Sequence, residues 1–397
     1  MQPAWPSPKG HDAPALALAL ALDSASASAS TSASDPHHTD GQTQPKKKRL
    51  CAEALFALAS RTNSLPDFIR ALERARHPTT LDRSYPFIIR MGLFFSIMHG
   101  RTSLAAYLLE NEPLAPAILR EHITPSVVGQ KPSIPLFDLL ITQHGWDINK
   151  DEGKPHDKSP LLSWVLHHQN EHELVCWLLD RNARVDFGEV SDEERPRPLV
   201  LLETCAQFGS VESFRLLQAK GAKLGGRTLH LCCGTAAYYG ADPGANSQDQ
   251  DNLGREEVLG LGEEGTANVN SDADADADAE DSGLVQRPKR AAMVRYLVDE
   301  LGLNVNQTDT EITRIYWRYG TPLNYAAREK KGVAVVRWLL GKGADPLNPK
   351  CNVSAEKCAK VHECHEVLQV LEQWKELNPD EVQKRHLSGS GFETPLK

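Results

Sequence analysis

Between Leu50 and Trp374, apolar residues recur three and four positions apart in short runs, each broken by glycine or a polar turn. That pattern predicts a succession of short amphipathic helices and no extended sheet. The clearest stretch is Thr321–Asp345, TPLNYAAREKKGVAVVRWLLGKGAD. Thr321 is positioned to cap a first helix whose opening residue is Pro322, where the missing N–H costs nothing. Leu323, Ala326 and Ala327 give that helix a flat apolar face of small residues, and Gly332 breaks it. Val335, Val336, Leu339 and Leu340 then form the stripe of a second helix that Gly343 ends. Two helices this short cannot bury both stripes alone, so neighbouring copies are required.

Other stretches supply them. Ala52–Ala59 with Leu65–Arg74 and Phe87–Met98 with Leu104–Leu109 are two helix pairs, and Leu136–Gln143 is a second helix closed by Gly145-Trp146-Asp147-Ile148-Asn149. Ser159-Pro160-Leu161 with Leu178-Leu179 and Ala183 marks another copy, as does Cys205-Ala206 with Gly209, Leu216-Leu217 and Gly221-Ala222. Thr228-Leu229-His230 opens a further one whose second helix is Met293–Val298, and Ser354–Trp374 is the last, with Val367, Leu368, Val370, Leu371 and Trp374 inward and a polar outer face.

T-P-L-x-x-A-A followed by G, V-V, L-L and G-A-D resembles the ankyrin repeat, with Asn324 where that family usually has His and one extra residue before Gly332. The resemblance implies an all-α solenoid of stacked helix-turn-helix units joined by projecting fingers, whose usual work is holding other proteins. About seven to eight helix pairs, several degenerate, are then expected over residues 50–376.

The closing glycines test the period. Gly145 to Asn182, Asn182 to Gly221 and Gly302 to Gly343 are about 37, 39 and 41 residues, whereas Gly221 to Gly302 is about 81, one repeat plus an insertion of roughly 48. The inserted stretch, Tyr239–Arg287, holds 13 acidic residues against Arg255 and Arg287. Its net −11 exceeds the chain's −9, so the rest is close to neutral at +2 and acidity belongs to this loop. Such a composition predicts a disordered segment. Asp272, Asp274, Asp276 and Asp278 alternate as in a calcium loop, but Ala277 and Gly283 stand where that loop needs its glycine and its bidentate Glu.

The ends are simpler in composition. Residues 1–49 run through Ala/Leu, Ala/Ser and polar stretches that cannot build a core, so a disordered tail is expected, and residues 377–397 read as a loose C-terminal tail. Ala13–Leu22 imitates the apolar part of a signal peptide, but Asp12 abuts it and Pro14 interrupts it. Lys46, Lys47, Lys48 and Arg49 resemble a single-cluster nuclear localisation signal, the alternative being a solvated charge run. No stretch approaches the roughly 20 apolar residues that span a bilayer. The eight cysteines are scattered, with Cys232-Cys233 at a position wanting small apolar residues, and a reducing compartment fits, so the location expected is cytoplasmic, nuclear or both.

Candidate chemistry is sparse. No nucleophile elbow, P-loop, H-E-x-x-H or dinucleotide fingerprint occurs. Cys205 and His230 sit in adjacent copies without an orienting third group and read as core, and His167, His168 and His172 read as solvated imidazoles around one turn. Cys351, Cys358, His362, Cys364 and His365 have zinc-type ligands without zinc-type spacing. One finger stands apart: Arg314, Tyr316, Trp317, Arg318 and Tyr319 concentrate the residue types that dominate binding hot spots, the alternative being rings folded back on Trp338 or the acidic loop. The function expected is a non-enzymatic scaffold or adaptor that binds a protein through a concave face and fingers. The alternative is a nuclear regulator of transcription or chromatin proteins built on the same array. No cofactor, nucleic acid, membrane or small-molecule substrate is expected.

Overall fold

The computed structural model describes residues 51–77, 84–151, 160–186, 200–245, 286–309, 320–348, 350–351 and 353–388. The expected tail 1–49, most of the acidic loop (246–285) and the aromatic finger (310–319) lie outside the described residues. Among the described residues the regular structure is helical and no strand occurs. The chain divides into two compact units, one holding the helices up to Ile123 and the other those from Thr124 onward, with Thr142–Gly145 grouped with the first.

The first unit contains α1 (Ala52–Thr62), α2 (Leu65–Arg76), α3 (Tyr85–Met98), α4 (Thr102–Asn111) and α5 (Ala115–His122). α1 packs on α2 and α3, and α3 on α4 and α5. Phe56 meets Phe68 edge-on at 4.8 Å. Gly92 lets α3 close on these rings, since a Cβ there would stand 3.1 Å from Leu108 and 3.2 Å from Phe56. The buried Glu112 accepts hydrogen bonds from Arg76 (2.6 Å) and the Tyr85 hydroxyl, and so ties α2 to α3. Arg101 donates to the carbonyls of Ser60 (2.9 Å) and Arg61 (3.0 Å), satisfying acceptors at the end of α1 that have no partner within the helix.

The second unit contains α6 (Pro125–Val128), α7 (Ile134–Phe137), α8 (Leu161–Val165), α9 (Glu171–Leu179), α10 (Leu201–Phe208), α11 (Val211–Ala219) and α12 (Thr228–Tyr239). After the acidic loop come α13 (residues 286–295), α14 (Pro322–Ala327), α15 (Val333–Gly341), α16 (Ala355–Val361), α17 (His365–Leu377) and α18 (Pro379–Ser388). First helices touch first helices: α8 packs on α10, α10 on α12, α12 on α14 and α14 on α16. α9 packs likewise on α11, and α15 on α17. The small pairs Cys205-Ala206, Cys232-Cys233, Ala326-Ala327 and Cys358-Ala359 are all buried and allow these backbones to approach.

Left-handed residues close the second helices: Asn182, Gly221 and Gly343 have φ of 63°, 95° and 84°, and the N–H that follows each bonds back five residues, as from Ala344 to Leu339 (2.9 Å). Two copies carry one more residue before the stop. There the chain makes a wider turn, Asp138–Gln143 and Tyr296–Glu300, and Trp146 and Leu303 bond back six residues to Leu140 and Leu297.

The structure departs from the sequence reading at several points. Thr321 does not cap α14; its hydroxyl donates to Asn324 Oδ1 (3.1 Å) instead. Residues 379–388, expected to be loose, form α18, which packs on α17. The described ends of the acidic loop are ordered too, since Tyr239 closes α12 and Ala241 and Pro243 are buried. Arg287 donates to the Tyr239 carbonyl (3.1 Å) and Arg295 to those of Pro243 (3.2 Å) and Ala245 (3.0 Å). Two arginines on α13 supply the donors for the carbonyls on the other side of this neck, which composition alone did not reveal.

Candidate protein-binding surface

Arg314, Tyr316, Trp317, Arg318 and Tyr319 fall outside the described residues, as do Lys46, Lys47, Lys48 and Arg49; the structure places the base from which the aromatic finger leaves. Asp309 N–H donates to the Gly320 carbonyl at 2.7 Å, bringing the two ends of the finger together. The Asp309 carboxylate accepts from the Tyr325 hydroxyl (2.8 Å), and both residues are buried. Burial, followed by Asp309, pushes the Tyr325 hydroxyl pKa up, so this bond keeps its proton. Gly320 has φ +100° and a Cβ there would lie 2.6 Å from Cys351 Sγ, so only glycine fits. His230, fully buried and edge-on to Tyr325 at 5.4 Å, donates from Nε2 to the Gln307 carbonyl at 2.8 Å.

One position recurs through these ties. His230, Asn324 and Glu203 all stand two residues before their small pair, and each reaches the backbone of the following loop. Asn324 donates to Val353 (2.6 Å), and Glu203 accepts from Arg227 N–H (2.9 Å). A second tie links successive loops directly. Asn149 bonds Asn182 O (3.2 Å) and Arg184 N (2.7 Å), and Asn306 bonds Gly343 O (2.8 Å) and Asp345 N (2.7 Å). The sequence carried this signal as an Asn four residues after Gly145 and after Gly302, which the apolar pattern alone does not reveal.

A second loop tip, Gly221–Arg227, is tied to α10 through Glu203 and exposes an apolar residue. Glu203 lies against Gly225, where a Cβ would come within 2.3 Å of its carboxylate, and the Thr228 hydroxyl donates to Gly225 O (2.8 Å). Leu224 is 45% exposed beside Lys220 and Lys223. It falls in no helical phase, which is why periodicity passes over it.

The catalytic and metal candidates are not brought into working geometry. Cys205 is fully buried, its Sγ directed to the Ser210 carbonyl (3.9 Å), and burial pushes its thiol pKa far up. Among the described residues no group of three or more His, Cys, Asp or Glu is placed to hold a metal ion; Cys364 Sγ points to the His362 carbonyl instead (3.6 Å). The three histidines are engaged rather than simply solvated. His167 keeps much of its surface exposed but stacks on Phe208 at 4.0 Å, His168 Nε2 donates to Gly129 O (2.7 Å), and His172 Nδ1 meets Ser213 Oγ (3.1 Å). Burial lowers the pKa of His168, and loss of water from the ring face covered by Phe208, followed by the neighbouring His168, lowers that of His167.

Residues 320–352 match the family model of the ankyrin repeat, the stretch that contains α14, α15 and the loop that Asn324 and Asn306 hold. The chain thus carries an ankyrin repeat, in general a protein-binding module. No curated protein matches the chain. No helix among the described residues is long and apolar enough to cross a membrane.

Proposed function

We propose that this protein is a non-enzymatic adaptor in which residues 50–376 stack as an ankyrin-type solenoid and a partner protein is held by its concave face and fingers. The observation that carries the reading is the ankyrin repeat at 320–352, directly behind a finger whose two ends are joined by the Asp309–Gly320 hydrogen bond. A closed, buried base lowers the entropy a finger loses when it binds. Arg314, Tyr316, Trp317, Arg318 and Tyr319 supply the anchors at this site, because aromatic rings and guanidinium groups remove large areas from water at low entropic cost.

The test is affinity capture with quantitative mass spectrometry, run in parallel on the full chain and on a Trp317→Ala, Arg318→Ala variant. Proteins enriched by the first and lost from the second, with the variant's thermal midpoint unchanged, support the reading. An identical set of captured proteins would remove the finger from it.

A further inference from the structure

Two residues before a small pair, three side chains hold the loop that follows, and they are of three kinds: Glu203, His230 and Asn324. At the stem of the aromatic finger, residues 307–309 and 320, the side chain used is the one that titrates closest to neutral pH. Among the described histidines His230 alone is buried. Its Nε2–H donates to the Gln307 carbonyl at 2.8 Å, which leaves the lone pair on Nδ1, and that nitrogen is buried without a hydrogen bond.

The charged and titratable groups around the ring come from the elements packed on α12. α10 presents Glu203, which is paired with Arg227 (3.5 Å) just before α12. The stem presents Asp309, and α14 presents Tyr325, edge-on to the imidazole at 5.4 Å, with Arg328 over the Tyr325 ring at 5.5 Å. Behind Gly320 the Cys351 thiol is pushed up to about 11 by burial and stays uncharged. α15 meets α12 about two helical turns away, where Gly332 lies against Ala237. Asp309 and the Gln307 and Gly320 carbonyls favour a charged ring, but burial outweighs them and keeps His230 neutral.

We propose that His230 is a proton-sensitive latch on the stem: the neutral ring holds residues 307–309 and 320 together, and mild acid opens them while the surrounding helices stay folded. A proton arriving on Nδ1 puts a charge in a site sealed from water, and admitting water relieves that cost. α10, α12 and α14 wall the site with packed helices, whereas the stem is loop backbone joined by the Asp309–Gly320 bond (2.7 Å) and the His230–Gln307 bond. The stem is therefore the wall that yields at least cost. An open stem also gives the finger back the entropy that a closed one saves, so a partner held there is released in acid. That consequence rests on the proposed function; the latch does not.

The experiment measures hydrogen–deuterium exchange on the full chain between about pH 7.5 and 5, each rate referred to the unstructured rate at that pH. Protection of the Asp309 N–H, which donates to Gly320, should fall about tenfold or more across this range. Arg184 N–H, which donates to Asn149 Oδ1 in a loop tie without histidine, should keep its protection. His230→Asn, the residue that does the same work at 324, should hold the Asp309 protection constant with pH. Where that variant has lost protection already at about pH 7.5, the ring-proton shifts of His230 in the wild type decide, because the imidazole must take up its proton over the range in which protection falls. Constant Asp309 protection in the wild type, a fall that persists in His230→Asn, or a ring titration apart from the fall would each overturn the latch. A stem that opens in acid without weakening a captured partner would uphold the latch and count against the finger as the binding site.

Discussion

Arg290 joins α13 to the end of α10. It is fully buried, and its Nη1 donates to the carbonyls of Ala206 (3.3 Å) and Gln207 while Nη2 donates to those of Phe208 (2.9 Å) and Gly209. Those are the last carbonyls of α10, so a guanidinium closes the negative end of that helix. Its neighbour Lys289 bonds the buried Glu171 (2.7 Å), which in turn accepts from Ser210 N–H (2.9 Å). Arg290→Ala should cost about 3–5 kcal/mol, because buried acceptors lose their donors and a cavity opens. Arg290→Lys should recover little, since one ammonium cannot span four carbonyls. Urea unfolding measures both, and a loss under about 1 kcal/mol for Arg290→Ala would contradict this role. His230 gives a pH-dependent counterpart. Burial lowers its pKa more than Asp309 raises it, so the folded protein keeps it neutral while the unfolded chain binds a proton near about 6.5. Its contribution to stability is therefore present above that value and is lost as pH falls through it toward the lower folded value. His230→Asn, the residue used at 324, should flatten the stability profile between about pH 7 and 5. Part of the slope should remain, because His167 and His168 shift in the same direction. An unchanged slope would exclude His230 as a source.

At the level of elements, the helices were readable because apolar period and small pairs are local properties of the chain. Leu339, placed on the inner stripe by pattern alone, is fully buried on α15, and Leu339→Ala should cost about 2–5 kcal/mol in urea unfolding. What escaped the pattern depends on partners distant in sequence. Arg290 reads as one member of a basic run until α10 stands in front of it, and Asn306 reads as a loop residue until Gly343 arrives 37 positions later. The wide turns before Gly145 and Gly302 were written as one extra residue between the buried leucine and the stop, too small a change for periodicity to register. The finger at 310–319 and the basic run at 46–49 were legible only as residue types, and both lie outside the described residues. For the acidic loop, the neck divides the expectation. Replacing residues 246–285 by a short Gly/Ser linker should leave the thermal midpoint nearly unchanged, because their composition cannot offset the entropy of ordering. Adding Arg287→Ala and Arg295→Ala to that linker variant should lower it by several degrees, as the carbonyls of Tyr239, Pro243 and Ala245 lose their donors. Equal midpoints for the two variants would show that the neck contributes nothing.

Across the whole molecule, charge and candidate anchors are divided between separate parts of the chain. Residues 239–287 hold net −11 and the remainder +2, whereas the proposed finger presents Arg314 and Arg318. A partner suited to that finger carries carboxylates around an apolar patch, and the acidic loop repels the same partner at long range. Removing residues 246–285 should therefore speed association at low salt, and raising salt should shrink the difference. Trp317→Ala separates an anchor from a structural ring. An exposed anchor loses about 2 kcal/mol or more of binding on truncation and hardly any folding stability. A ring packed against Trp338 or the acidic loop gives the reverse result. Calorimetric affinity for a captured partner and urea unfolding, measured on the same variant, place Trp317 in one class or the other. Lost stability with unchanged affinity would retire the finger as the binding site and leave Leu224, on the Gly221–Arg227 tip, as an exposed apolar residue to test next.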